Sequence, residues 1–181
     1  MRRLELFVGL LIVTLCSTAL AEPTKESVAS GSEVSFVAKI TGGSFVAKTE
    51  KVSGSLAVDR EQKRISGTIV VQAGSFSSGL GMRDNHMRDK YLEAEKFETL
   101  VFTAADQPFD PEEGKPSKVQ GTLTVKGMSQ PVTVDVKLDA GTANATFQVD
   151  VTKFGIPQPS FAVVKMDPIV EATVKLVLKH E

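Results

Sequence analysis

From Val34 onward the chain alternates apolar with polar or small residues in short bursts. Val34, Phe36, Ala38 and Ile40 form the first, which Gly42-Gly43 breaks. Val52, Gly54, Leu56 and Val58 follow, then a turn at Asp59 to Lys63, then Ile65, Gly67, Ile69 and Val71 up to Gly74. The pattern returns at Leu100, Phe102 and Ala104, stops at the proline-punctuated DQPFDPEEGKPSK, and resumes with Val119, Gly121, Leu123 and Val125. After KGMSQP come Val132, Val134, Val136 and Leu138; after Gly141 come Ala145, Phe147, Val149 and Val151; after FGIPQPS come Val170, Ala172, Val174, Leu176 and Leu178. A period of two puts successive side chains on opposite faces of a strand, so each burst predicts a strand with one dry face and one wet face. Short turns make consecutive strands antiparallel. About eight such strands bury their dry faces by closing on themselves, which removes the exposed edges. The expectation is an all-β, eight-stranded antiparallel β-barrel, with a two-sheet sandwich as the rival, because the same alternation serves both. A barrel of that size is filled by its own side chains or holds one small ligand. Glycines 54, 67 and 121 fall on the apolar faces, where glycine marks a sharp bend or room for something close by.

One stretch interrupts the alternation. GMRDNHMRDKYLEAEKFETLVF, residues 81–102, crowds charges together around one of only two histidines. Its spacing suits a short helix near residues 84–94, capped by Asp84, with Met87, Tyr91 and Ala94 on one face. Such a helix lies between two strands with its apolar face toward the barrel mouth.

The start of the chain reads differently again. Arg2 and Arg3, the apolar run Leu6 to Leu15 and the Ala19-Leu20-Ala21 site predict a signal peptide over residues 1–21. The run is too short to span a bilayer as a helix. Cys16 raises the alternative of a lipoprotein signal, but Leu15 precedes it where a small residue is usual. Cleavage after Ala21 removes the only cysteine, and with it any disulfide or thiolate chemistry. Residues 22–32 are polar and aperiodic and predict a flexible N-terminal arm. Lys and Arg total 21 against 22 Asp and Glu, so no basic excess points to nucleic acid.

Candidate chemistry is sparse. Asp84, His86 and Asp89 raise a metal site, but residues two apart diverge on a helix. TGGSF and GSFSSG lack the Gly-x-Ser-x-Gly spacing of a nucleophile elbow. Glu93, Glu95 and Glu98 sit among lysines, as a solvated face does. These residues predict neither an enzyme nor a bound cofactor or metal.

The ordered set of motifs resembles the YceI-like family of secreted lipid-binding, or polyisoprenoid-binding, proteins. MRDNHMRDKYLEAEKFETLVFTA supplies Arg83, Asp84 and His86 of an Arg-Asp-x-His-Leu element, with Met87 in place of the leucine, and then Leu100 and Phe102 of the next strand. VQGTLTVKGMSQPVTVDVKL supplies Gly121, Leu123, Thr124 and Gly127 of a Gly-x-Leu-Thr-x-x-Gly hairpin, and VTKFGI, residues 151–156, matches the segment near the end of the fold. Lys153 stands where the family often has arginine. The resemblance implies a lipocalin-like barrel over residues 33–181 with an apolar tunnel, in a periplasmic or secreted protein. It implies a ligand with a long apolar chain, a polyisoprenoid or an isoprenoid-quinone-like molecule. Phe36, Leu56, Ile69, Phe102, Leu123, Val134, Phe147 and Val174 are then the tunnel wall and Met82, Met87, Tyr91 and Leu92 its lid, with His86 beside the ligand at the barrel rim. Transient membrane contact and a homodimer are compatible with this reading, and no membrane span is expected. The alternative is a self-filled barrel in a non-enzymatic envelope stress or interaction protein; a continuous apolar void separates the two.

Overall fold

The computed structural model describes residues 22–158, 160, 161 and 164–180; the expected signal peptide and Cys16 lie outside them. Eleven strands follow the chain: β1 (Thr24–Val28), β2 (Glu33–Ile40), β3 (Gly43–Thr49), β4 (Val52–Asp59), β5 (Arg64–Gln72), β6 (Thr99–Pro108), β7 (Ser117–Val125), β8 (Met128–Asp139), β9 (Thr142–Asp150), β10 (Ser160–Phe161) and β11 (Val164–His180). Eight of them close a ring in the order β1-β4-β5-β6-β7-β8-β9-β11, and β11 returns to β1 through Glu26↔His180 and Val28↔Leu178. Every pairing is antiparallel, which makes the protein a closed eight-stranded barrel rather than a sandwich.

The β2–β3 hairpin extends the wall. β2 pairs along β11 from Val170↔Ala38 to Lys175↔Glu33, and β1 continues along the same edge of β11. β1 and β2 are thus two halves of one bent rail. The bend is held at Ser32, which is only 2% exposed. Its hydroxyl donates to the Ala29 carbonyl at 2.7 Å and accepts from the Val177 amide at 2.9 Å, so no polar group is stranded in the kink.

One expectation is corrected here, and a second holds with shifted bounds. Residues 24–28, expected within a flexible arm, form β1, because their backbone is bonded on both edges, to β4 and to β11. TKESV carries no apolar alternation, so its sequence shows nothing of this pairing. The helix expected near residues 84–94 instead begins at Gly81. A short α-helix, α1 (Gly81–Asn85), passes into a wider π-helical turn over His86–Tyr91, where the Leu92 amide reaches back five residues to the Met87 carbonyl at 2.9 Å. Asp84 does not cap it; Leu80 occupies the N-cap position, with no side-chain hydrogen bond.

Glycines 54 and 67 mark close backbone approach. A Cβ built on Gly54 falls 2.1 Å from the Thr68 carbonyl oxygen, and one on Gly67 falls 2.5 Å from that of Ser55. At Gly121 a Cβ would meet the Phe102 ring at 2.4 Å. All three glycines thus serve close contacts within the wall, between β4 and β5 or beneath Phe102, and Gly67 also borders the cavity.

The candidate lipid-binding cavity

Large inward residues dominate β5, β6 and β7, whereas β9 and β11 interleave large residues with alanines. Ile69 pairs with Phe102, and Phe102 with Leu123, across β5, β6 and β7. On β11 and β9, Ala172 lies between Phe36 and Phe147, and Ala145 lies between Val136 and Val174. The alanines leave room between their larger neighbours, and the interior holds a cavity of about 540 Å³. Close-packed interiors leave few voids larger than a water molecule, whereas ligand pockets run to roughly 300–1,000 Å³. Phe36, Phe102, Phe147 and Val174 point inward yet are only half-buried, because they face this space.

Each residue expected at the site lies on the cavity wall. Phe36, Leu56, Ile69, Phe102, Leu123, Val134, Phe147 and Val174 line it from the strands; Met82, His86, Met87, Tyr91 and Leu92 line it from the helical segment. Met87 is buried, at 8% exposure, and Tyr91 and Leu92 are half-buried. Ala94, expected on the same helical face, is off the wall, because the π-helical turn ends that face at Leu92.

The cavity has one closed end. Val58, Phe109 and Leu138 are buried in the core but off the wall, at the barrel end away from α1. At the α1 end the wall includes Ile40, Leu80, Met82 and Met166. Leu80 and Met82 are 55% and 65% exposed, so the apolar lining runs out to solvent there.

The helical segment is staked at both sides of this mouth. The Asp84 carboxylate accepts from the Ser77 hydroxyl at 2.9 Å and the Ser78 amide at 2.8 Å, and also from the Ser78 hydroxyl. Burial pushes its carboxyl up, but these bonds together with the nearby Arg83 charge outweigh that and hold it below the usual aspartate range. On the far side the Lys126 ammonium, in the β7–β8 turn, pairs with Glu93 at 2.5 Å. That hydrogen bond, against partial desolvation, holds the Glu93 carboxyl below its ordinary range. Asp89 is paired with Arg88 at 2.7 Å, so both carboxylates of the raised metal site are engaged elsewhere. Among the described residues no group of three His, Cys, Asp or Glu is placed to hold a metal ion.

Sequence reasoning overlooks several wall residues. Phe45 enters from β3, which has no place among the predicted strands because its inward series is Phe45, Ala47 and Thr49, only one of them large. Phe154 and Ile156 enter from the segment after β9, read as a loop. They flank Gly155, whose left-handed φ of 67° sends the chain back inward. A signal was available there, two large apolar residues about a glycine. Arg83 is also on the wall, and the apolar pattern gives no hint of that.

The fold is that of a closed antiparallel β-barrel whose apolar cavity opens beside a short helical segment. A family model for the YceI-like domain matches residues 26–181, and the chain belongs to that family. Solved structures share the fold. BcnA of Burkholderia cenocepacia aligns with a TM-score of 0.71 at 21% identity, over 84% of this chain and 99% of that one. A polyisoprenoid binding domain from Saccharophagus degradans, implicated in plant cell wall breakdown, aligns at 0.65 and 15% identity, over 88% and 100%. The YceI protein of Campylobacter jejuni aligns at 0.61 and 16% identity, over 75% and 84%. No curated protein matches the sequence.

Proposed function

We propose that this protein is an exported, non-enzymatic carrier that sequesters a long apolar lipid, a polyisoprenoid or an isoprenoid-quinone-like molecule, inside its barrel. The observation that carries the reading is the cavity itself: about 540 Å³, bounded by strand side chains that are nearly all apolar. The resemblance in fold to a polyisoprenoid binding domain supports the choice of ligand class. A self-filled barrel does not leave such a space.

Each buried CH₂ gains about 0.8 kcal/mol over water. The ligand's real alternative is a bilayer, so transfer exchanges one apolar surrounding for another. The net preference is small, which suits reversible carriage. Organic extraction of freshly purified protein, followed by mass spectrometry, is expected to release a long-chain lipid. Intact-mass measurement of the same exported sample is expected to show a chain beginning at Glu22. An extract without lipid ends the carrier reading, and a chain retaining residues 1–21 ends the export reading.

The mouth supports transient contact with a membrane. Leu80 and Met82 line the cavity and also face solvent, and apolar side chains flanking an opening gain by entering a bilayer interface. Burying their exposed surface is worth about 1–2 kcal/mol. The double variant Leu80→Ser, Met82→Ser is therefore expected to slow lipid uptake from vesicles by roughly tenfold. Uptake at the unaltered rate argues against contact through this rim.

A further inference from the structure

Arg83 is the one permanently charged side chain on the cavity wall among the described residues, and no carboxylate lies there to match it. Two contacts fix its place. Its Nε donates to the Ser78 hydroxyl at 2.6 Å and its Nη2 to the Ser78 carbonyl at 3.1 Å, while the guanidinium carbon lies 4.1 Å from the centre of the Phe45 ring. Phe45 is itself on the cavity wall, so the guanidinium plane stands at the junction of the mouth and the apolar interior.

One edge of the fork is thus occupied, and Nη1 has no hydrogen-bond acceptor among the described residues. The neighbouring carboxylate does not take it. Asp84 is engaged by Ser77 and Ser78 and reaches Arg83 only through the shared Ser78 hydroxyl, so its charge acts on the guanidinium without a direct ion pair. The other arginine of the segment, Arg88, is neutralised by Asp89 at 2.7 Å. A half-buried guanidinium beside an apolar space, with one donor edge unused and its nearest carboxylate held off by a bridging hydroxyl, favours an incoming anion at that edge.

Resting on the carrier reading, the geometry points to Arg83 as the head-group anchor of this cavity, selecting lipids whose apolar chain ends in an anionic oxygen group, a carboxylate or a phosphate. The chain enters the barrel and the head stays at the mouth, where the free Nη1 edge donates to one or two of its oxygens. Both head groups present the same acceptors to a guanidinium.

The test compares ligands that share one chain: geranylgeranyl phosphate, geranylgeranoic acid and geranylgeraniol, titrated by displacement of a fluorescent apolar probe. A charge-assisted hydrogen bond supports about a tenfold to hundredfold preference. The native protein is expected to bind the phosphate, the acid or both by that factor over the alcohol, and the stronger of the two identifies the head group. Arg83→Gln is expected to abolish the preference, the phosphate and the acid falling to the level of the alcohol. Arg83→Lys, which keeps the charge without the fork, is expected to retain part of it and stands in if the glutamine variant does not fold. Equal binding of all three by the native protein overturns the anchor but not the carrier. Binding of none overturns both. An equal loss for all three ligands in Arg83→Gln reduces Arg83 to a support for the lid and overturns the anchor.

Discussion

Gly54→Ala is expected to cost roughly 4 kcal/mol or more, a large part of the about 5–15 kcal/mol that holds a typical domain together. Gly54 has φ of 134°, in a region that L side chains rarely adopt. The space is also taken. The added methyl would sit 2.1 Å from the Thr68 carbonyl oxygen and 3.0 Å from the Ile69 Cα. Both atoms belong to the backbone of β5, the strand that β4 pairs with through Ser55↔Thr68 and Gly54↔Ile69. Relief requires the β4–β5 ladder to separate, because backbone, unlike a side-chain tip, cannot rotate away. Gly43→Ala is the control: Gly43 has no neighbouring atom within 4 Å of an added Cβ and no positive φ, so a change within about 0.5–1 kcal/mol is expected. Urea unfolding of both variants measures the difference. A Gly54→Ala midpoint near that of the native protein would show that the two strands have more freedom than their register implies.

Ala145→Phe is expected to empty the barrel while leaving it folded. Ala145 lies on the cavity wall, between Val136 and Val174. A ring placed there enters vacant space rather than displacing packed atoms, so the usual cost of overpacking, about 1–3 kcal/mol, should largely be avoided. The volume it occupies is withdrawn from the lipid. Lipid recovered by extraction is expected to fall at least about tenfold, equivalent to the loss of two buried CH₂ groups of chain. Thermal denaturation should show a melting temperature close to the native one. Leu123→Glu is the harsher form, since it puts a carboxylate beside Phe102 and Leu100 where nothing pairs with it. A folded Ala145→Phe protein that still carries the native quantity of lipid would place the ligand somewhere other than this cavity.

These outcomes turn on features that differ in how far they can be read from the chain. The inward positions of the predicted strands were legible because a barrel wall has one dry face and a strand has period two, so Ile69, Phe102, Leu123 and Phe147 name themselves. β1 was not legible, since TKESV is held by backbone pairing to β4 and β11, and the partner at His180 is remote in sequence. β3 was hidden because Ala47 and Thr49 are small or polar yet fully enclosed. The π-helical turn depends on stakes at Asp84 and Glu93, whose partners Ser78 and Lys126 lie outside the helical pattern. Open space was the least legible feature. Ala145 and Ala172 look like ordinary small strand residues until the register sets them between Val136 and Val174 and between Phe36 and Phe147. Arg83 belongs to a motif that the sequence displays, but its place beside Phe45 comes from a strand the sequence conceals.

β11 gives the molecule a latch. This 17-residue strand holds β9 on one edge, and β2 then β1 on the other, and it follows all three in the chain. Before it docks there is only an unrolled apron with a greasy side facing water. Pairings that bring such distant segments together place refolding in the slow regime of β topologies, milliseconds to seconds. The wall of the container thus closes only when β11 meets β1.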